Sequence, residues 1–194
     1  MNNTLYILTE ELSIKNVFDI ILPKILPSDF GFRILVHQGK SDLENALTDK
    51  ITSLSKITGA KILITIDQDN NDCKQLKNKI IGIIGENYAC EYKIRIVCKE
   101  LESWLLGDLL AIEKAFPRFK SASIAKKAQI RDVDKINKPS NFLLRIIPEY
   151  KDRKKIPKLE FSKKTAQFLD ITNNKSTSFN NTIEAIKQLC NQNS

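Results

Sequence analysis

Histidine is almost absent from this chain: His37 is the only one in 194 residues. That leaves almost no room for a zinc centre or a His-dependent triad. Cysteine is scarce and scattered, with Cys73, Cys90, Cys98 and Cys190 forming no C-x-x-C pair and no zinc-type grouping. Each reads as a small buried apolar residue suited to a reducing compartment. No apolar run approaches the roughly 20 residues that span a bilayer. The start, MNNTLYILTEE, lacks the positive charge, apolar run and cleavage site of a secretory signal. The expectation is a cytoplasmic protein with no membrane partner. With nitrogen and sulfur ligands so few, a metal here is held mainly by oxygen, which favours Mg2+ or Mn2+.

What is present suits an ordinary globular domain: 42% of residues are apolar and 28% charged. The length supports one substantial core but not comfortably two. The net charge of +8 is unevenly spread. Between Pro117 and Lys175 there are 16 Lys and Arg against 6 Asp and Glu, while the remainder has 15 against 17. A nearly neutral first part is thus followed by a strongly basic one. Such asymmetry suggests a polyanion partner, with a solvated lysine-rich face as the plainer alternative.

Residues 1–116 alternate strand and helix patterns. TLYILT (4–9) reads as a buried strand, followed by a helix capped by Ser13 and interrupted at Pro23. FRILVHQ (32–38) is a second strand, and Ser41 caps a second helix with Leu43, Leu47, Ile51 and Leu54 inward. AKILITI (60–66) is continuously apolar after its lysine, as a strand covered on both faces must be. A helix is expected over 72–84, a strand over 92–98 and a helix over 101–116. This order implies an α/β fold with a mostly parallel sheet flanked by helices. Residues 117–194 read as a basic, mostly helical extension packed on the same domain, with short helices at 123–132, 141–147, 162–169 and 183–190 and an exposed loop at 150–158.

Ligands in open α/β sheets bind beyond the carboxyl ends of the strands. Glu10 and Glu11 follow the first strand, His37, Gln38 and Lys40 the second, Asp67, Asp69 and Asp72 the third, and Glu100 and Glu102 the fourth. Asp67 and Asp69, two apart in a turn leaving a buried strand, can share a hard cation or bracket two. Asp72 reads better as the cap of the next helix. Glu10 is either a metal ligand and proton acceptor or a solvated loop residue. His37 is either a phosphate contact or a hydrogen-bonded structural group. Glu100 and Glu102 cannot share one helix face, so at most one points at the site. Gly39-Lys40-Ser41 resembles the end of a P-loop but lacks its first glycine, which argues against ATP there. Lys151, Arg153, Lys154, Lys155 and Lys158 are the expected phosphate contacts, with Lys158, Lys163 or Lys164 alternatively reaching the scissile phosphate.

Glu10 after the first strand, DQDNND at 67–72 and ELESWLLGD at 100–108 together resemble the TOPRIM-like, Rossmann-like proteins. HQGKSDL at 37–43 and SFNN at 178–181 resemble the branch of unknown function encoded beside AAA-type ATPases in bacterial anti-phage and abortive-infection loci. The resemblance implies a magnesium-dependent nuclease core. Glu10 would be base or metal ligand, Asp67 and Asp69 the metal pair, and Glu102 a supporting acid. It also implies an ATPase partner. The family often has glycine after the first glutamate and then a Thr-Glu pair. This chain has Glu11, Ser13 and Ile14 there, so that loop matches no additional family ligand. Three functions remain in view: an endonuclease acting on DNA or RNA, transfer RNA included; a non-catalytic module binding nucleic acid or a partner; and a small-molecule phosphohydrolase, which leaves the basic segment unexplained.

Overall fold

The computed structural model describes residues 3–85 and 90–190. Its centre is a four-stranded, all-parallel sheet in the order β2-β1-β3-β4, formed by β1 (Asn3–Thr9), β2 (Phe30–Val36), β3 (Ala60–Asp67) and β4 (Glu91–Val97). β1 and β3 are central, which explains their uninterrupted apolar runs: both faces are covered. Period-two alternation then divides the core. Tyr6, Leu8, Ile62 and Ile64 face α2 (Lys40–Leu54) and α3 (Cys73–Ile84). Leu5, Ile7 and Leu63 face the other way, onto α1 (Leu12–Ile21) and the later helices.

Those later helices are α4 (Glu102–Leu106), α5 (Leu109–Ala115), α6 (Ser121–Ile124), α7 (Pro139–Ile146), α8 (Lys158–Ala166) and α9 (Thr177–Cys190). The basic segment has no core of its own. Phe119, Ile130, Leu143, Phe161, Phe179 and Ile186 join the same apolar cluster as Leu5 and Trp104. α8 packs on α1, and α9 packs on β4. Trp104 is wedged edge-on between Phe18 and Phe179, with ring centroids 6.0 and 5.5 Å away. Among the described residues no helix is long and apolar enough to cross a membrane.

Several local expectations change. Ser13 lies inside α1, where its hydroxyl donates to Glu11 Oε2 at 2.8 Å; the N-cap position belongs to Glu11. Ser41 likewise lies inside α2, which starts after Gly39 at φ 90, a left-handed conformation open to glycine. The helix expected over 101–116 is broken at Gly107-Asp108, because the Asp108 carboxylate accepts from Ala111 N–H at 2.9 Å and starts α5. The last helix begins at Thr177, six residues before the expected 183, and the helix expected at 162–169 begins at Lys158. Pro23 does end α1, in a short 3-10 turn over Leu22–Lys24.

Candidate active site at the carboxyl edge of the sheet

The parallel strands bring their carboxyl ends to one edge, and three acids are sunk there. Glu10, just past β1, is 8% exposed; Asp67, the last residue of β3, 5%; Glu102, the first of α4, 1%. Glu10 Oε1 accepts from the Asp67 backbone N–H at 3.0 Å, which fixes the two residues to one another. Asp69 sits at φ 52, a left-handed conformation that aspartate tolerates better than bulkier residues. Its Oδ2 lies 2.5 Å from Lys40 Nζ, which also donates to the Asp67 carbonyl at 2.7 Å. Lys40 reaches over because the β2–α2 turn is tied down, with Gly39 N–H donating to Glu10 O at 3.1 Å. From the opposite direction Lys158, at the start of α8, brings Nζ to 3.3 Å from Glu11 Oε1 and 3.6 Å from Glu102 Oε2.

The charges do not balance. Five carboxylates (Glu10, Glu11, Asp67, Asp69, Glu102) meet two ammonium groups. Burial pushes the Glu10 carboxyl up to about 7, partly offset by the Asp67 N–H and by Lys40. Burial does the same to Glu102, up to about 7, against the pull of Lys158. Asp67 is held well above its ordinary value by burial and then by the repulsion of Glu10, Glu11 and Glu102. Burial by itself lowers Lys158, but Glu102, Glu11 and Asp67 more than reverse this and hold its ammonium above the usual lysine value. Two carboxylate oxygens, Glu10 Oε2 and Glu102 Oε2, are buried without a hydrogen-bond partner. Such atoms are costly unless something satisfies them.

This donor set fits a hard divalent cation in chemistry, being all oxygen and in excess of positive charge. Among the described residues no three His, Cys, Asp or Glu side chains already form a group able to hold an ion. Mg2+ asks for less, commonly one or two carboxylates completed by water and substrate phosphate oxygens. Glu10 and Asp67 meet that requirement. Asp69 is engaged by Lys40 and joins them only by exchanging that partner.

The other sequence-predicted residues separate. His37 is buried at the end of β2, its Nδ1 3.1 Å from the Thr9 carbonyl, in a structural contact. Asp72 caps α3, accepting from Lys74 and Gln75 N–H at 2.9 Å. Glu100 turns away, its Oε2 accepting from Ser140 N–H at 3.1 Å, so Glu102 alone of that pair faces the site. Lys151, Arg153, Lys154 and Lys155 are exposed on the loop before α8. Lys158, grouped with them by sequence, instead sits among the acids. Glu11 is half-buried and engaged by Ser13 and Lys158. No sequence signal announces the Lys158 contact, because the chain separation from Glu11 is 147 residues. In comparisons with known proteins, no family model, no curated protein and no solved structure matches this chain.

Proposed function

We propose that this chain is a metal-dependent nuclease with a TOPRIM-like core that hydrolyses phosphodiester bonds of DNA or RNA, transfer RNA included. The observation that carries this reading is the buried cluster of Glu10, Asp67 and Glu102 at the ligand-binding edge of a parallel sheet, with Glu10 Oε2 unpartnered and Glu102 Oε2 lacking a hydrogen bond and met only by Lys158 at 3.6 Å. Bound Mg2+ or Mn2+ would polarise a phosphoryl oxygen and lower the pKa of its water. Glu10 and Asp67 are the residues to hold it, with Glu102 in support and Asp69 available on release from Lys40. Where Asp67 holds the ion together with water and phosphate oxygens, Glu10 would instead take its other role, the base that receives the proton of the attacking water. Lys158 faces the same space and suits a phosphate oxygen, the role weighed for it beside the loop lysines. Lys40 orients the Asp67–Asp69 turn. Within the same reading the protein is a cytoplasmic effector in anti-phage defence, controlled by an AAA-type ATPase partner.

One observation favours a second reading, a non-catalytic module binding nucleic acid or a partner. Lys40 and Lys158 already act as resident cations for Asp69, Glu11 and Glu102. The two readings separate in one assay. Labelled DNA, messenger RNA and transfer RNA pools are incubated with Mg2+ or Mn2+ and either wild type or Asp67→Asn, alone and with an ATPase encoded next door. Cleavage by wild type and none by a folded Asp67→Asn is expected. Retained cleavage in the variant refutes the assignment of the site, and cleavage of no pool favours the binding module.

A further inference from the structure

β4 is an edge strand, and α3 and α9 both pack on it. Between these two helices, along the free edge of β4, runs a cavity of about 270 Å3 lined by Lys74, Lys77, Arg95 and Cys98 among others. A second cavity of about 590 Å3 shares Cys73, Cys98, Asp134 and Thr177 with the first and continues to Gln68 and Lys99. The two therefore form one groove. Its far end reaches the carboxylate edge, since Gln68 lies between Asp67 and Asp69, and Asp69 N–H donates to the Lys99 carbonyl at 2.9 Å. From Arg95 to Lys99 the chain spans about 13 Å at roughly 3.3 Å per residue, long enough for more than one phosphate.

The charge of this groove is unspent. Asp134 starts α9, its two oxygens accepting from the Ser176 hydroxyl at 2.7 Å and Ser178 N–H at 2.9 Å, and leaves one carboxylate charge in the groove against the four cations. Asp132 is paired with Lys135 at 2.9 Å. Lys74, Lys77, Arg95 and Lys99 have no acidic partner among the described residues. Arg95 lines the cavity, and its Nε is buried with no hydrogen-bond partner, a costly state for a charged donor. Lys74 and Lys77, one turn apart on α3, face the groove from one wall.

We propose that this groove binds the sugar–phosphate backbone of the nucleic-acid strand as it leaves the carboxylate site, with Lys99, Lys74, Lys77 and Arg95 as its phosphate contacts. This rests on the nuclease reading and shifts the principal substrate track from the exposed 151–155 loop to the edge of β4. Contacts of this kind position a strand without reading its sequence. An edge strand also suits an added peptide strand. The direct connection of the groove to the hydrolytic edge favours the polynucleotide.

The test is fluorescence anisotropy on the full chain without divalent metal, using labelled single-stranded DNA and RNA of about 20 nucleotides. Wild type is compared with Lys74→Gln/Lys77→Gln/Arg95→Gln and with Lys154→Gln/Lys155→Gln, each checked for folding by thermal unfolding. Each single-strand phosphate contact contributes about 0.7 to the salt slope, so the triple variant flattens it by about 2. Raising salt from about 50 to about 200 mM then weakens wild type about 20-fold more than that variant. An unchanged slope in the triple variant overturns the groove, and if Asp67→Asn still abolishes cleavage, the nuclease reading stands without it. Binding of neither DNA nor RNA by wild type overturns the groove, and the nuclease reading is decided separately by cleavage in wild type and Asp67→Asn. Groove-dependent binding of a polyglutamate peptide with no oligonucleotide binding reassigns the surface to an acidic partner.

Discussion

Replacing Glu10 by glutamine is expected to make the metal-free protein more stable while removing the nuclease activity proposed for it. Glu10 ionises near 4.5 in the unfolded chain and near 7 in the folded one, with burial as the main cause. Between those values the folded state binds more protons, so stability falls as pH rises through this window and stays low above it. The displacement corresponds to about 3 kcal/mol at pH 8. Glutamine keeps the Oε1 acceptor for Asp67 N–H and removes the buried charge that also repels Asp67. For a chain of this size about 3 kcal/mol raises the melting temperature by roughly 6–12 °C. Thermal and urea unfolding in EDTA at pH 5 and pH 8 read it directly: the gain appears at pH 8 and shrinks toward pH 4.5, where both proteins are uncharged at this position. Adding Mg2+ at pH 8 to about 100 times its dissociation constant stabilises wild type by about 2.7 kcal/mol and the variant by less. A variant no more stable than wild type at pH 8, or a gain equal at both pH values, refutes the account of a stored electrostatic cost at this site.

The mirror-image perturbation is Lys158→Met, which strips Glu102 and Glu11 of their shared cation. It is expected to cost about 1–3 kcal/mol at pH 8, where Glu102 is ionised, and less at pH 5, where it holds its proton; urea unfolding at the two values checks this. Gly107→Ala tests the break between α4 and α5. A Cβ at residue 107 would lie 1.8 Å from Asn174 Oδ1 and 2.9 Å from Ser176 N, so the loop before α9 must move. The expected loss is about 1–3 kcal/mol in thermal unfolding, and a neutral result would show that the loop yields without cost.

The sheet was legible because β1 and β3 carry runs of apolar residues that only burial on both faces explains, and period-two alternation distributes their side chains between two helix layers. The acids were legible for a related reason. Parallel strands all end on one edge, so residues following a strand converge whatever else the chain does. Helix starts were less legible. Ser13 and Ser41 have the chemistry of caps, yet the structure places both inside helices, where Ser13 binds a carboxylate instead. The break at Gly107-Asp108 was hidden in a sequence that reads as one amphipathic helix.

The amino-acid order by itself determined the α/β class, the four strands, and the acids Glu10 and Asp67 at the ends of β1 and β3, because these depend on local periodicity and on distances of a few residues; between Glu100 and Glu102 it left the choice open. Tertiary structure decided everything that joins distant segments. It carried Lys158 across 147 residues to Glu11 and Glu102, assigned Asp69 to Lys40, and turned Glu100 toward Ser140. It also laid α3 and α9 along the edge of β4, so that cations of α3 and β4 line one groove. Electrostatic pairing acts through space over a few ångströms, and sequence patterns report only on neighbours along the chain.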